Sequence, residues 1–154
     1  PFVPAHTRMT IGRLTQALTD AARSGVYRAT REAEIAEAAR GTRLDLARVG
    51  LGGAQDKEAL LARLAQALAF PEWFGGNWDA LEDCLGDLSW RPGEGHVLVL
   101  EGQEDVPQDD LGVLLDVLQA AAALWAERRR PFFAVFVDPG HALALPELSR
   151  RKTA

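Results

Sequence analysis

The sequence predicts an α/β fold with a small three- or four-stranded parallel sheet and helices packed on it. Short apolar runs alternate with segments of helical periodicity, which is typical of parallel strands joined by right-handed crossovers. The chain has 154 residues, of which 47% are hydrophobic, and this is enough to bury a core. Glycine and proline separate most of the segments, as expected at turns.

The elements follow one another in a regular order. Apolar residues at helical spacing predict helices over 10–24, 31–40, 56–70, 78–88 and 109–129. Short apolar runs predict strands over 26–29, 44–49, 97–100 and 132–137, and the run 97–100 has the composition of a strand buried on both faces. Asp56 and Asn77 are suitable N-caps for the third and fourth helices.

This order suggests three parts. Residues 1–41 form an N-terminal extension that is helical with a possible extra strand, residues 42–140 form the main domain, and residues 141–154 form a C-terminal tail. No apolar run reaches the length of a membrane span, and the N-terminus lacks the pattern of a secretion signal. A single cysteine, Cys84, suits a reducing cytoplasm, where we expect the protein to reside.

The net charge of the chain resides in one stretch. Residues 71–90 contain five acids and no lysine or arginine, so the rest of the chain has 17 acids against 17 bases. A net charge of −5 argues against direct nucleic-acid binding, which needs a basic surface. The five acids are Glu72, Asp79, Glu82, Asp83 and Asp87.

Four of these acids share one face of the predicted helix over 78–88. At 100° per residue they fall within about 140° of arc, opposite an apolar side that includes Cys84. Such a face is often only the solvated side of an amphipathic helix. However, like charges four residues apart destabilise a helix, and the exposed aromatic pair Trp73 and Phe74 in the preceding turn is typical of a binding surface. Charge and periodicity leave both interpretations open.

The stretch 70–85, FPEWFGGNWDALEDCL, resembles the central motif of the barstar family. That motif runs Pro, Glu or Asp, two aromatics, Gly, any residue, Asn, any residue, Asp-Ala-Leu, any residue, Asp-Cys-Leu, and every fixed position is present. The order of elements from about 44 to 137 also agrees with the family. The first forty residues resemble extensions of some larger bacterial relatives.

The resemblance implies a non-catalytic inhibitor that blocks the active site of a ribonuclease, either a barnase-like enzyme or another basic guanyl-preferring one, without a cofactor. Asp83 matches the carboxylate that occupies a phosphate subsite of the enzyme, and Asp79 matches a second contacting acid. Trp73 matches an aromatic residue that packs on the enzyme. The partner-binding residues predicted on this basis are Trp73, Gly75, Asn77, Asp79, Glu82, Asp83 and Asp87.

Two positions depart from the family pattern. The archetype has a tryptophan where this chain has Glu82, which removes an apolar anchor and adds charge. It also has a glutamate late in its long helix, at a position where Leu124 or Trp125 falls here, with Glu127 nearby. The first difference suggests a different cognate enzyme, and Glu127 is a candidate for the role of the late glutamate.

Other chemistries are weaker alternatives. The candidates are an immunity or regulatory protein for another basic partner and a small α/β nucleotide-binding enzyme that uses the turn 50–53, which follows a strand and precedes a helix. That turn lacks the third glycine of a dinucleotide fingerprint and the Gly-Lys-Ser/Thr of a phosphate loop. The three histidines have no metal-ligand spacing, and Cys84 falls on the apolar side of its helix, so we predict no metal and no nucleophile.

Overall fold

A computed structural model shows a four-stranded, all-parallel sheet with helices on both faces, and it describes residues 4–148. The predicted fold class is confirmed. The strands are β1 (Gly25–Ala29), β2 (Leu44–Gly50), β3 (Gly95–Glu101) and β4 (Phe132–Val137). The helices are α1 (Ala5–Leu18), α2 (Glu32–Ala39), α3 (Lys57–Ala67), α4 (Trp78–Asp87) and α5 (Gln108–Glu127), with 3₁₀ turns at Ala21–Arg23 and Gln103–Asp105.

The strands lie in the order β1-β4-β3-β2, so the two central strands are the two most apolar. Every residue of β3 except Glu101 is buried, which confirms the prediction of a strand covered on both faces. One face of the sheet packs against α3, α4 and α5, and the other packs against α1 and α2. Of the helices within the described range, none is long and apolar enough to cross a membrane.

The first helix differs from the prediction in its bounds. It was expected over 10–24, but α1 ends at Leu18, and a separate 3₁₀ turn follows. Asp20 causes the break, because its side chain accepts a hydrogen bond from the backbone nitrogen of Ala22 and caps the new turn.

Both ends of the range 4–148 contact the sheet. Strand β1 pairs in parallel with β4, and α1 packs on α2 and on the sheet through buried residues such as Leu14 and Leu18. Near the C-terminus, Glu147 forms a bridge beside Arg28 of β1, and Leu148 is buried. Whether residues 1–41 form a separable extension stays a prediction, but their strand is one edge of the sheet.

Candidate functional site

The acidic segment forms helix α4, and its cap follows the sequence prediction. The side chain of Asn77 accepts a hydrogen bond from the backbone nitrogen of Ala80 at 2.7 Å, which satisfies one of the free donors of the first turn. Asp79 lies in that first turn, where its charge also suits the helix dipole. The helix ends at Leu88, which adopts the left-handed conformation with φ of 51°. The last turn of the helix leaves backbone carbonyls that need hydrogen-bond donors from elsewhere in the fold.

The outer face of α4 carries exposed carboxylates without internal partners. Asp79, Glu82, Asp83 and Asp87 are all exposed, and none forms an ion pair or side-chain hydrogen bond with any residue that the structure describes. The opposite face is buried through Leu81, Cys84 and Leu85. The carboxylate oxygens are therefore free to accept hydrogen bonds from cations outside the chain.

The turn before α4 presents aromatic rings. Trp73 is 58% exposed and lies edge-on to Trp90, with ring centroids 6.2 Å apart. Trp90 is held in turn by a hydrogen bond from its ring nitrogen to the carbonyl of Leu68. Phe74 differs from the prediction of an exposed pair, because it is half-buried against Phe70 with centroids 4.9 Å apart. Trp73 is thus the aromatic residue of this turn that is open to a partner.

The other two predicted residues of the turn support its shape. Gly75 and Asn77 are exposed, and Gly76 between them has a φ of 70°, a conformation that favours glycine. The turn therefore places Trp73 beside the start of α4. All seven predicted partner-binding residues lie on this turn or on the exposed face of α4.

Helix α5 holds the C-terminal end of α4. The ring nitrogen of Trp125 donates to the carbonyl of Leu85 at 2.8 Å, and the guanidinium of Arg128 donates to the carbonyl of Gly86. These bonds satisfy carbonyls that the end of a helix leaves free. Of the two residues that the resemblance left open at the position of the late glutamate, Trp125 is buried, whereas Leu124 is 38% exposed and packs over Gly86. Glu127 is exposed on the last turn of α5.

A second charged cluster, which the sequence did not reveal, is formed by Asp45 at the start of β2, His96 at the start of β3, and Arg91. Asp45 accepts two hydrogen bonds from Arg91, at 2.6 and 3.1 Å, and a third contact from His96 Nδ1 at 3.0 Å. His96 is 2% exposed and stacks edge-on against Trp125. The spacing of the three histidines did not predict this contact. The available signal was an acid and a histidine at matching positions of two adjacent strands.

The pKa values in this cluster follow from burial and pairing. Burial, together with the positive charges of Arg130 and Arg91, lowers the pKa of His96 below 6.5 against the opposing hydrogen bond and charge of Asp45. Burial alone raises the pKa of Asp45, but the hydrogen bonds from Arg91 and His96 outweigh burial and leave the pKa lowered. Asp45 is therefore ionised, and both of its carboxylate oxygens accept hydrogen bonds within the fold. This cluster is structural in character.

The alternative sites have little support in the geometry. In the turn 50–53 the backbone nitrogen of Gly53 donates to the carboxylate of Asp105 at 2.7 Å, so an internal anion occupies the position that a phosphate would need. Cys84 is buried, and burial followed by the charges of Asp83 and Asp87 raises the pKa of its thiol, which disfavours a nucleophile. Within residues 4–148 no group of three or more metal-ligating side chains is placed to hold an ion.

The comparison with protein families agrees with this arrangement. The family described as Barstar (barnase inhibitor) matches residues 44–137, from the start of β2 to the end of β4, which is more than half of the chain. No curated protein gave a significant match. The matched range contains the aromatic turn, α4 and the part of α5 that supports it. The chain therefore belongs to the Barstar family.

Proposed function

We propose that this protein is a stoichiometric, non-catalytic inhibitor of a ribonuclease, and that the exposed face of α4 blocks the basic active site of that enzyme. The observation that carries the proposal is the set of four exposed carboxylates, Asp79, Glu82, Asp83 and Asp87, none of them paired within the described chain. Membership of a family described as barnase inhibitors supports it.

The chemistry of the two surfaces is complementary. A ribonuclease holds the RNA phosphate with cationic side chains, and a carboxylate on a rigid helix offers oxygen acceptors to the same groups. Asp83 lies in the middle of α4, and its helix is capped at one end by Asn77 and supported at the other by α5. A charge held in this way binds with little loss of conformational entropy.

The remaining exposed groups have separate roles in the proposal. Trp73 supplies apolar contact area beside the charges, and Gly75 and Asn77 shape the turn that presents it. Asp79, Glu82 and Asp87 add negative potential that accelerates the encounter with a basic enzyme. The inhibitor needs no cofactor, and we place it in the cytoplasm, where it would protect the cell that makes the enzyme.

Another basic protein, bound for immunity or regulation, is the strongest alternative partner. Glu82 favours this alternative, since it puts a charge where the family archetype has an apolar tryptophan. Nucleotide binding at the turn 50–53 has less support, because Asp105 already occupies the backbone donor of Gly53. A rise in melting temperature on addition of a nucleotide would favour it.

Titration of the purified chain against several guanyl-specific ribonucleases tests the proposal. We expect complete inhibition of at least one enzyme at a one-to-one ratio, and no inhibition of any of them at a large excess would contradict the proposal. The variant Asp83→Ala should weaken binding by about 2–5 kcal/mol, because it leaves an enzyme cation buried without a partner.

The matched control is Asp116→Ala, which removes an exposed acid from α5 and should leave inhibition unchanged. Thermal unfolding separates a binding role from a structural one. Asp83 has no partner within the described residues, so Asp83→Ala should unfold at nearly the wild-type temperature. A large loss of thermal stability would show that Asp83 serves the fold.

A further inference from the structure

The surface of α4 contains one apolar position among its carboxylates, and a neighbouring helix fills it. On the helical wheel Gly86 falls about 20° from Asp79, inside the arc that the acids occupy. Gly86 is nonetheless buried. A Cβ atom built on Gly86 would lie 3.1 Å from Cδ2 of Leu124, so it is this leucine of α5 that covers the glycine.

Leu124 consequently lies within the acidic face. The residues one turn before Gly86 are Glu82 and Asp83, which are its neighbours on the helix surface. The side chain of Leu124 is still 38% exposed after covering Gly86. Apolar atoms thus remain in contact with solvent over a position one helical turn from Asp83, the carboxylate that the proposed function assigns to an enzyme cation.

An apolar contact at this place has a definite physical consequence. Ion pairs strengthen when water is removed from around them, and the contacts that surround an interface anchor act by excluding water. We propose that Leu124 is a specificity-determining contact of the inhibitor, and that the ribonuclease presents an apolar side chain opposite Leu124 next to the cation that pairs with Asp83. This inference rests on the proposed function and names the chemistry of the partner surface.

The chain offers a matched control on the same helix. Val113 is 37% exposed, and its separation of eleven residues from Leu124 places it on nearly the same side of α5. The two side chains lie about 16 Å apart along the helix axis. Val113 therefore reports any effect of apolar exposure on α5 that is unrelated to the acidic face.

The experiment measures association and dissociation rates with a guanyl-specific ribonuclease that the wild-type chain inhibits. Leu124→Ala should weaken binding about tenfold, mainly through faster dissociation, because it removes buried apolar area at the interface. Leu124→Lys should weaken it at least about a hundredfold, because it places a cation against a basic enzyme. Leu124→Gln, which keeps a long side chain over Gly86, should resemble Leu124→Ala and guards against a packing defect.

The control variants Val113→Ala and Val113→Lys should change the affinity less than about threefold, although the second makes the same change in net charge as Leu124→Lys. Wild-type affinity in all three Leu124 variants, together with lost binding in Asp83→Ala, would overturn this inference and leave the proposed function intact. If Val113→Lys weakens binding as much as Leu124→Lys, the effect is one of overall charge and the inference also fails. If no ribonuclease is inhibited by the wild-type chain, both proposals fail together.

Discussion

Two regions of this protein concentrate charge, and they differ in whether the charge is paired. On α4 the acids Asp79, Glu82, Asp83 and Asp87 are exposed and have no internal partner among the described residues. At the start of strand β2, the side chain of Asp45 is only 8% exposed, and its carboxylate accepts hydrogen bonds from Arg91 and His96. A paired carboxylate stabilises the fold, whereas an unpaired one is available to another molecule.

Removal of Asp45 should produce the largest loss of stability. Asp45→Ala leaves the half-buried Arg91 and the buried His96 without their acceptor, and breaking a buried pair in this way costs up to about 3–5 kcal/mol of unfolding free energy. Urea denaturation measures the change. The control Asp116→Ala, at an exposed acid, should stay within about 0.5 kcal/mol of wild type. A loss below about 1 kcal/mol for Asp45→Ala would mean that the cluster contributes little to the fold.

Trp125 connects the two regions, and its replacement should have the next largest effect. Its ring packs edge-on against His96 with centroids 5.0 Å apart, and its ring nitrogen donates to the carbonyl of Leu85 at the end of α4. Trp125→Phe leaves that carbonyl unsatisfied, which should lower the unfolding free energy by about 1–3 kcal/mol. Amide hydrogen exchange should also quicken in the last turn of α4, where Leu88 donates to Cys84.

Trp90→Phe is the matched control for this variant. The ring nitrogen of Trp90 also donates a hydrogen bond to a carbonyl, that of Leu68. However, Trp90 is only half-buried, and this carbonyl belongs to the C-cap of α3 rather than to α4. Its replacement should leave exchange in α4 unchanged. Equal exchange rates in α4 for wild type and Trp125→Phe would show that the ring does not hold the acidic helix in place.

The acidic helix α4 was easier to predict from the sequence than the cluster of Asp45, Arg91 and His96. Helix α4 was predicted within a residue or two because its determinants are close in sequence: the cap at Asn77, the apolar stripe and the acids. The contact of Asp45 with His96 joins residues 51 positions apart and depends on the parallel register of β2 with β3. That register requires knowledge of which strands are adjacent, and periodicity does not supply it.

The same reason explains the other differences. The sequence predicted a strand near residues 26–29 but not its place beside β4, because parallel pairing is set by how the helices pack. The role of Gly86 was equally hidden. A glycine within an acidic helix face has no evident purpose until α5 is placed against it and Leu124 is seen to cover it.

The buried histidine makes the stability of the fold sensitive to pH. Because burial lowers the pKa of folded His96 below its ordinary value of 6.5, protons bind the unfolded chain more readily. The contribution of neutral His96 is fully present above pH 6.5 and declines as the pH falls toward the folded pKa. Asp45, whose pKa lies below 3.8, stays ionised over this range.

The variant His96→Asn tests this dependence, since its side-chain amide can still donate to Asp45. Between pH 7 and 5 the wild type should lose more unfolding free energy than His96→Asn, because the unfolded wild-type chain binds a proton that the folded chain resists. Urea denaturation at pH 5, 6 and 7 gives the two slopes, and every other ionisable group is common to both chains. Parallel slopes would contradict the assignment of the pH dependence to His96.

The smallest expected effect concerns the edge of the acidic face. Asp87 lies in the last turn of α4, so it should contribute to attraction at long range more than to the bound contact. Asp87→Asn should slow association with the ribonuclease by about two- to fivefold at low salt and leave dissociation unchanged, because rim charges act on the encounter. The difference should shrink as added salt screens the charge. Asp116→Asn removes the same charge from α5 and should slow association less. If the two variants behave alike, net charge alone accelerates the encounter, and the concentration of acids on α4 serves only the bound state.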